Sequence, residues 1–221
     1  MTGEAERSAA VARLLSRVRA AVQAQPVSEP EVPSHAVVRR IAADAGGLAA
    51  MFAERAAAVG MKVVRTDEAG LDVTLGATLA GRGPTVVAVA DAPLAARTSA
   101  AVHAAEGASL RPSDDGDALF EAAVGVTDVD AAIAESGSLV VSTNGRIRNA
   151  WITPPVHVAI VRESQLLPDL VDLFELRPDS LDAASTTIIT GPSKTADIEG
   201  VLVTGVHGPG EVVIVLVGTG A

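Results

Sequence analysis

Short runs of aliphatic and β-branched residues alternate with segments of helical spacing, and this alternation constrains the fold more than any other feature. Residues 186–190 and 212–217 form runs that no charge interrupts, which predicts strands buried on both faces. Similar runs predict strands at 61–64 and 85–90 and near Val124, Leu139 and Val156. Helical spacing predicts helices at 48–59, 71–79 and 165–176, the first ended by Gly60. Strands alternating with helices predict an α/β fold, with a mainly parallel sheet flanked by helices.

The first 33 residues form a different kind of segment. Apolar residues from Val11 to Val22 recur at helical spacing beside four arginines, which predicts a basic amphipathic helix. Pro26, Pro30 and Pro33 then forbid regular helix and favour an extended linker. We therefore expect an N-terminal helical appendage with a proline-rich linker at 1–33 and a globular domain at 34–221. The pattern leaves open whether this helix packs on its own domain, docks on a partner chain or lies on a membrane surface.

Composition and charge exclude several classes of function. The formal net charge of −10 argues against a nucleic-acid partner. With no cysteine, the chain has no disulfide and cannot itself hold an iron–sulfur cluster by thiolates. No apolar run approaches the roughly 18 residues that a membrane span needs, and no signal-peptide pattern opens the chain. We therefore expect a cytoplasmic protein.

A polar loop between the last two predicted strands is the first candidate site. Residues 191–200 read GPSKTADIEG and residues 205–209 read GVHGP. Ser193, Lys194 and Thr195 could cradle a carboxylate or phosphate, with Thr195 capping a short helix. The alternative is a capped loop whose lysine is solvated. His207 is available as an acid or base, and the acids at 197 and 199 lack the further ligands that a metal site needs, so we expect none.

Two further candidates lie near residue 140. Glu135 is expected where a short helix meets Ser136-Gly137 and the next strand, so that a ligand could approach the backbone there. The alternative is an acid that only receives hydrogen bonds from the turn. Asn144 and Arg146 follow that strand, and the arginine could clamp an anionic substrate or lie exposed on a turn. His157, within an apolar strand, is expected to be a core histidine with its hydrogen bonds satisfied.

These motifs resemble a known family. Residues 191–200 and 205–209 resemble the C-terminal signature of the LUD domain, and specifically of lactate-utilization protein C (LutC). Residues 130–140, DAAIAESGSLV, and 154–158, PPVHV, resemble upstream family elements in the family's order. The resemblance covers roughly residues 124–217, and it implies that 34–221 is a LUD domain with the sugar-phosphate isomerase and coenzyme A transferase-like (NagB/RpiA/CoA transferase-like) fold.

The resemblance also implies a function. It suggests a LutC-type subunit of an L-lactate utilization system, supporting oxidation of L-lactate to pyruvate beside iron–sulfur partner proteins that carry the redox step. In coenzyme A transferases of this broad fold a glutamate is the nucleophile, which implies a catalytic role for Glu135. Two alternatives stay open. One is a free-standing enzyme acting on a carboxylate, coenzyme A ester or sugar phosphate, and the other is a non-catalytic metabolite-binding assembly module.

Overall fold

The chain forms two compact units, Met1–Arg39 and Arg40–Ala221. The computed structural model describes residues 2–24, 40–42, 44–82, 85–89, 92–104, 109–111, 116–144, 146–196, 200 and 202–218. In the first unit, helix α1 spans Thr2–Gln23 and its apolar residues, from Val11 to Val22, are exposed. The predicted linker at 25–33 lies outside the described residues. Within the described residues, no helix has the length and apolar character needed to cross a membrane.

The second unit alternates strands and helices along its described residues. Its helices are α2 Ala45–Ala58, α3 Leu71–Leu79, α4 Ala92–Ala104, α5 Gly116–Glu121, α6 Asn149–Ile152, α7 Leu170–Leu176 and α8 Pro178–Leu181. Its strands are β1 Lys62–Asp67, β2 Thr85–Val89, β3 Ser109–Arg111, β4 Val124–Asp128, β5 Ala131–Ile133, β6 Ser138–Ser142, β7 Val156–Arg162, β8 Leu166–Leu167, β9 Thr186–Ile189, β10 Lys194–Ala196, β11 Leu202–Thr204 and β12 Glu211–Gly218.

The main sheet has six strands in the order β1-β12-β7-β4-β2-β3, and every pair is parallel. One face packs on the leucines of α3 and on α4. The other packs on α2, α5, α6 and a smaller sheet. Because helices cover both faces, β7 and β12 are buried along most of their length. The predicted α/β fold class is confirmed.

The smaller sheet has the order β8-β5-β6-β9, with β6 antiparallel to both neighbours. Leu139 and Val141 on its inner face join the core beneath the main sheet, and Val140 packs on Leu173 of α7 on the outer face.

Two expectations about this smaller sheet were wrong. The short helix predicted before Glu135 is strand β5, because its small apolar residues pair with β6. Strand β9 is only half-buried, because it lies at the edge of this sheet.

Local hydrogen bonds explain where two other predictions differ from the structure. The helix predicted at 165–176 begins only at Leu170, where the buried carboxylate of Asp169 accepts from the amides of Val171 and Asp172. Asp169 also accepts from Arg40, which ties the start of the second unit to α7. Thr195 does not cap a helix, since it lies in the β10–β11 hairpin. Gly60 ends α2 as predicted, with a φ of 93°.

Candidate functional site

A pocket of about 280 Å³ lies at the amino ends of β7 and β12, and we call it the amino-edge pocket. Its volume is close to the lower end of the range for small-molecule sites. It collects residues from α6, β7, β9 and the loops on either side of the β10–β11 hairpin. The described residues that line it are Trp151, Ile152, His157, Thr187, Ile188, Ile189, Thr190, Gly191, Ser193, His207, Gly208, Pro209 and Val212.

Gly125 in β4 positions helix α6, which forms one wall of the pocket. A Cβ at Gly125 would lie 2.0 Å from the carbonyl oxygen of Ala150, a separation that only a glycine permits. Helix α6 therefore rests directly on β4, and Trp151 and Ile152 reach the pocket from it. Trp151 is the single tryptophan of the chain and is almost completely buried.

The polar loop after β9 forms the opposite wall. The amide of Ser193 donates to the carbonyl of Pro209 at 2.8 Å, and the carbonyl of Ser193 accepts from Gly205 at 2.9 Å. Gly208 packs closely on the side chain of Ser193. These bonds bring Ser193 and His207 to one pocket. Ligand sites of parallel sheets usually lie at the carboxyl ends of the strands, whereas this pocket lies at the amino ends of β7 and β12.

His157 forms the buried polar part of the pocket. It is fully buried in β7, and its Nε2 lies 2.8 Å from Oγ1 of Thr127. Burial lowers the pKa of His157 to about 4, so the ring is neutral at physiological pH. Its Nδ1 has no hydrogen-bond partner among the described residues. The predicted core position is confirmed, but the expectation that all its hydrogen bonds are satisfied was wrong.

Thr187 is a polar group of the pocket that sequence reasoning missed. The indole Nε1 of Trp151 donates to Oγ1 of Thr187 at 3.3 Å. Because an indole can only donate, Thr187 accepts this bond and keeps its own hydroxyl proton for another acceptor. Thr187 sits in a run that we interpreted only as a strand. A lone tryptophan shortly before Pro154-Pro155 was the available hint of a closely packed site.

Glu135 lies outside the lining of the pocket, exposed on the turn between β5 and β6. Three hydroxyls connect that turn to the pocket. Ser136 Oγ is 2.7 Å from Ser138 Oγ, which is 2.7 Å from Oγ1 of Thr190. We call this series the hydroxyl chain. Its Thr190 end belongs to the pocket lining and its Ser136 end lies beside Glu135.

Lys194 and Thr195 also lie outside the described lining of the pocket. The Nζ of Lys194 lies 4.0 Å from where a Cβ would be built on Gly60. That position places a positive charge near the C-terminal end of α2, where a cation is stabilised by the helix dipole. The turn that carries Glu135 packs against the same part of α2, through Gly137 and Ala56.

Asn144 and Arg146 lie at a separate place, near the carboxyl end of β4. Arg146 is nearly buried and forms ion pairs with Asp128 and Asp130, each at 3.2 Å. Its charge is therefore already balanced by two carboxylates. Nδ2 of Asn144 donates to the carbonyl of Asp179 at 3.0 Å. Asp128 lies three residues beyond Gly125 on β4, roughly 10 Å further along the strand from the level of His157.

A second pocket, of about 390 Å³, lies between β1 and α3 and is lined by Lys62 and Arg82 among others. Both cations pair with Glu211, at 2.9 Å in each case. The bonds from Arg82 and then Lys62 lower the pKa of Glu211 to about 2. Since this carboxylate already balances them, the cations offer little charge to a ligand.

Comparison with known proteins gives consistent results. A family model described as the LUD domain matches residues 49–217. Lactate utilization protein C from Exiguobacterium sp. (strain ATCC BAA-1283 / AT1b) is 38% identical over 115 residues, or 49% of this chain and 50% of that protein. Lactate utilization protein C from Bacillus subtilis (strain 168) is 35% identical over 103 residues, or 44% of this chain and 43% of that protein. The chain thus spans about half the length of the curated relatives it matches.

A solved structure has the same fold. The crystal structure of a DUF162 family protein from Deinococcus radiodurans matches with a TM-score of 0.61 and 18% identity, covering 80% of this chain and 99% of that one. At this identity the likeness concerns the fold alone. Because the family model matches from residue 49 to residue 217, the chain belongs to the LUD domain family.

Proposed function

We propose that the chain is a LutC-type subunit of an L-lactate utilization system that acts in the cytoplasm. It supports the oxidation of L-lactate to pyruvate, and iron–sulfur partner proteins carry the electrons. The observation behind this proposal is the similarity to several proteins named lactate utilization protein C, at identities such as 38% and 35%. Because the chain spans about half of those proteins, their activity and partners are proposals for this chain.

The lack of cysteine supports a division of labour between subunits. Iron–sulfur clusters are held by cysteine thiolates in most proteins, and this chain has none. We therefore assign the redox step to partner subunits and a non-redox role to this chain. The amino-edge pocket provides a place where such a subunit can hold a small carboxylate, with Ser193 and His207 in its lining.

The remaining predicted residues have proposed roles beside this pocket or at a separate place. Glu135 is the proposed catalytic carboxylate, and the hydroxyl chain that joins its turn to Thr190 supports a link with the pocket. Lys194 and Thr195 follow Ser193 directly and are proposed to act from the loop beside the pocket. The substrate-binding role of Asn144 and Arg146, which lie apart from the pocket at the carboxyl end of β4, stays a prediction.

Affinity capture from native cells grown on L-lactate tests the proposal. We expect the tagged chain to bring down proteins that contain iron and acid-labile sulfide, and the purified chain alone to show no lactate oxidation. Cells grown without lactate provide the matched control. Capture of no iron–sulfur protein, together with turnover of a metabolite by the isolated chain, would instead support the free-standing enzyme.

A further inference from the structure

The polar groups of the amino-edge pocket have incomplete hydrogen bonding. Thr187 is half-buried and accepts from Trp151, so its own hydroxyl proton remains for another acceptor. The Nδ1 of His157 is buried without a partner. Buried polar groups are rarely left unpaired in folded proteins. The unpaired Nδ1 of His157, with the hydroxyl donor of Thr187 in the same lining, indicates that a bound molecule supplies further hydrogen bonds.

The third polar group is the hydroxyl of Ser193. The backbone of Ser193 makes the bonds that hold the loop, to Pro209 and Gly205. Its side chain is half-buried, and a serine hydroxyl can donate and accept. The loop is therefore fixed by the backbone, which leaves the hydroxyl of Ser193 available to a ligand.

The charge of the pocket limits what it can hold. None of the described residues in its lining is Lys, Arg, Asp or Glu. His157 is neutral, so His207 is the remaining titratable residue in that described lining. A phosphate ester carries about two charges at neutral pH and is usually bound by arginine, lysine or a helix N-terminus. The lining therefore favours an uncharged ligand or a monoanion over a phosphate ester or a coenzyme A ester.

We propose that the amino-edge pocket binds a small organic ligand that presents hydrogen-bond acceptors and carries at most one negative charge, with Thr187 and Ser193 as donors. The apolar side chains of Trp151, Ile152 and Val212 contact the body of the ligand. This inference deepens the proposed function, because it names the ligand class of the same pocket, and rests on that function for its choice of probes.

Fluorescence of Trp151 measures this binding directly, because it is the single tryptophan and lies in the pocket. The purified full chain is titrated with L-lactate, pyruvate and acetate, and in parallel with glucose 6-phosphate and acetyl-coenzyme A. We expect a saturable change with at least one monocarboxylate and none with the two phosphate-bearing compounds at equal concentration. A phosphate-bearing compound that binds as well, or no saturable change with any monocarboxylate, would overturn the proposal.

Substitutions at Thr187 separate its hydroxyl from its shape. Thr187→Val keeps the volume and removes the donor, and we expect about tenfold weaker binding. Thr187→Ser keeps the hydroxyl and should bind within about threefold of the unchanged chain. Thr204→Val removes an exposed hydroxyl from strand β11, outside the described lining, and should have no effect.

Thr187→Val leaves the indole of Trp151 unpaired, which can destabilise the fold. Ser193→Ala therefore provides a second test of the proposal. Because the backbone of Ser193 holds the loop, Ser193→Ala should keep the thermal midpoint and weaken binding about tenfold. Wild-type affinity in both Thr187→Val and Ser193→Ala would contradict the proposal. The result of this binding experiment is independent of the test of the proposed function, because capture of iron–sulfur proteins does not depend on ligand binding in vitro.

Discussion

His157 shows how one buried side chain serves both the core and the pocket. It lies in β7 opposite Val212 of β12, at the amino ends of two central strands of the main sheet. Its Nε2 pairs with Thr127, and its neutral ring costs less to bury than a charged one. The ring therefore fills the core and also contributes to the lining of the amino-edge pocket.

That burial predicts a pH dependence of stability. The pKa of His157 is lowered from 6.5 to about 4 on folding, so between these pH values the unfolded chain binds a proton that the folded chain does not. The free energy of unfolding should therefore fall as the pH falls through that window, by about 2 to 3 kcal/mol between pH 7 and pH 4.5. Urea unfolding of the wild type and of His157→Gln at both pH values measures this contribution.

The difference between the two proteins isolates His157, because other titratable groups contribute to both. Glu211 is outside this window, since its folded pKa of about 2 and its ordinary value of 4.5 place its effect at lower pH. Equal pH dependence in wild type and His157→Gln would show that His157 does not stay neutral in the folded protein.

Substitution of Glu135 tests its predicted catalytic role. It is exposed on a turn, so Glu135→Gln should change the free energy of unfolding by no more than about 0.5 kcal/mol. If this carboxylate is a nucleophile or base, lactate oxidation by the assembled complex should fall at least about a hundredfold. Glu54→Gln, on the exposed face of α2, is the matched control and should retain activity. Full activity of Glu135→Gln would remove Glu135 from the catalytic machinery.

Among the elements, α6 is placed by the absence of a side chain beneath it. Gly125 lets Ala150 approach β4, and Trp151 follows into the pocket. Sequence spacing gives strand β4 but not this contact, because a glycine inside an apolar run carries no information about what packs on it. The prediction of a short helix before Glu135 was wrong for a related reason. Its three small apolar residues suit either structure, and pairing with β6 decided between them.

Replacing that glycine tests the placement of α6. Gly125→Ala forces α6 away from β4, and we expect a loss of about 1 to 3 kcal/mol in the free energy of unfolding. Gly76→Ala in α3 is the matched control, because a Cβ there meets nothing within 4 Å. It should stabilise the protein by about 0.5 to 1 kcal/mol, as expected inside a helix. Thermal or urea unfolding that shows no loss for Gly125→Ala would contradict the close contact.

At the scale of the whole molecule, the fold was predictable and the site was not. Buried parallel strands carry continuous apolar runs, so β7 and β12 were evident from the sequence. The pocket joins residues from four separate elements, and its location at the amino ends depends on how the loop after β9 bonds to Pro209. No local pattern encodes that bond. The polar loop between the last two predicted strands indicated Ser193 and His207, while Thr187 and Trp151 required the structure.

The division into two units predicts the effect of a truncation. The second unit has its own core, and its described residues begin at Arg40, which pairs with Asp169 of the same unit. Deletion of residues 1–25 should therefore leave the free energy of unfolding of the second unit within about 0.5 kcal/mol of the full chain. Urea unfolding of the two proteins under identical conditions makes the comparison, and a cooperative loss of stability would show that α1 belongs to the core.

We propose a role in lactate utilization for this LUD domain protein. This role is tested most directly by the rate of pyruvate formation from L-lactate in extracts of native cells that lack the gene. We predict that this rate falls to background and returns when the unchanged chain is supplied, while utilization of pyruvate is unaffected. An unchanged rate of lactate oxidation in the deletion extract would contradict the account.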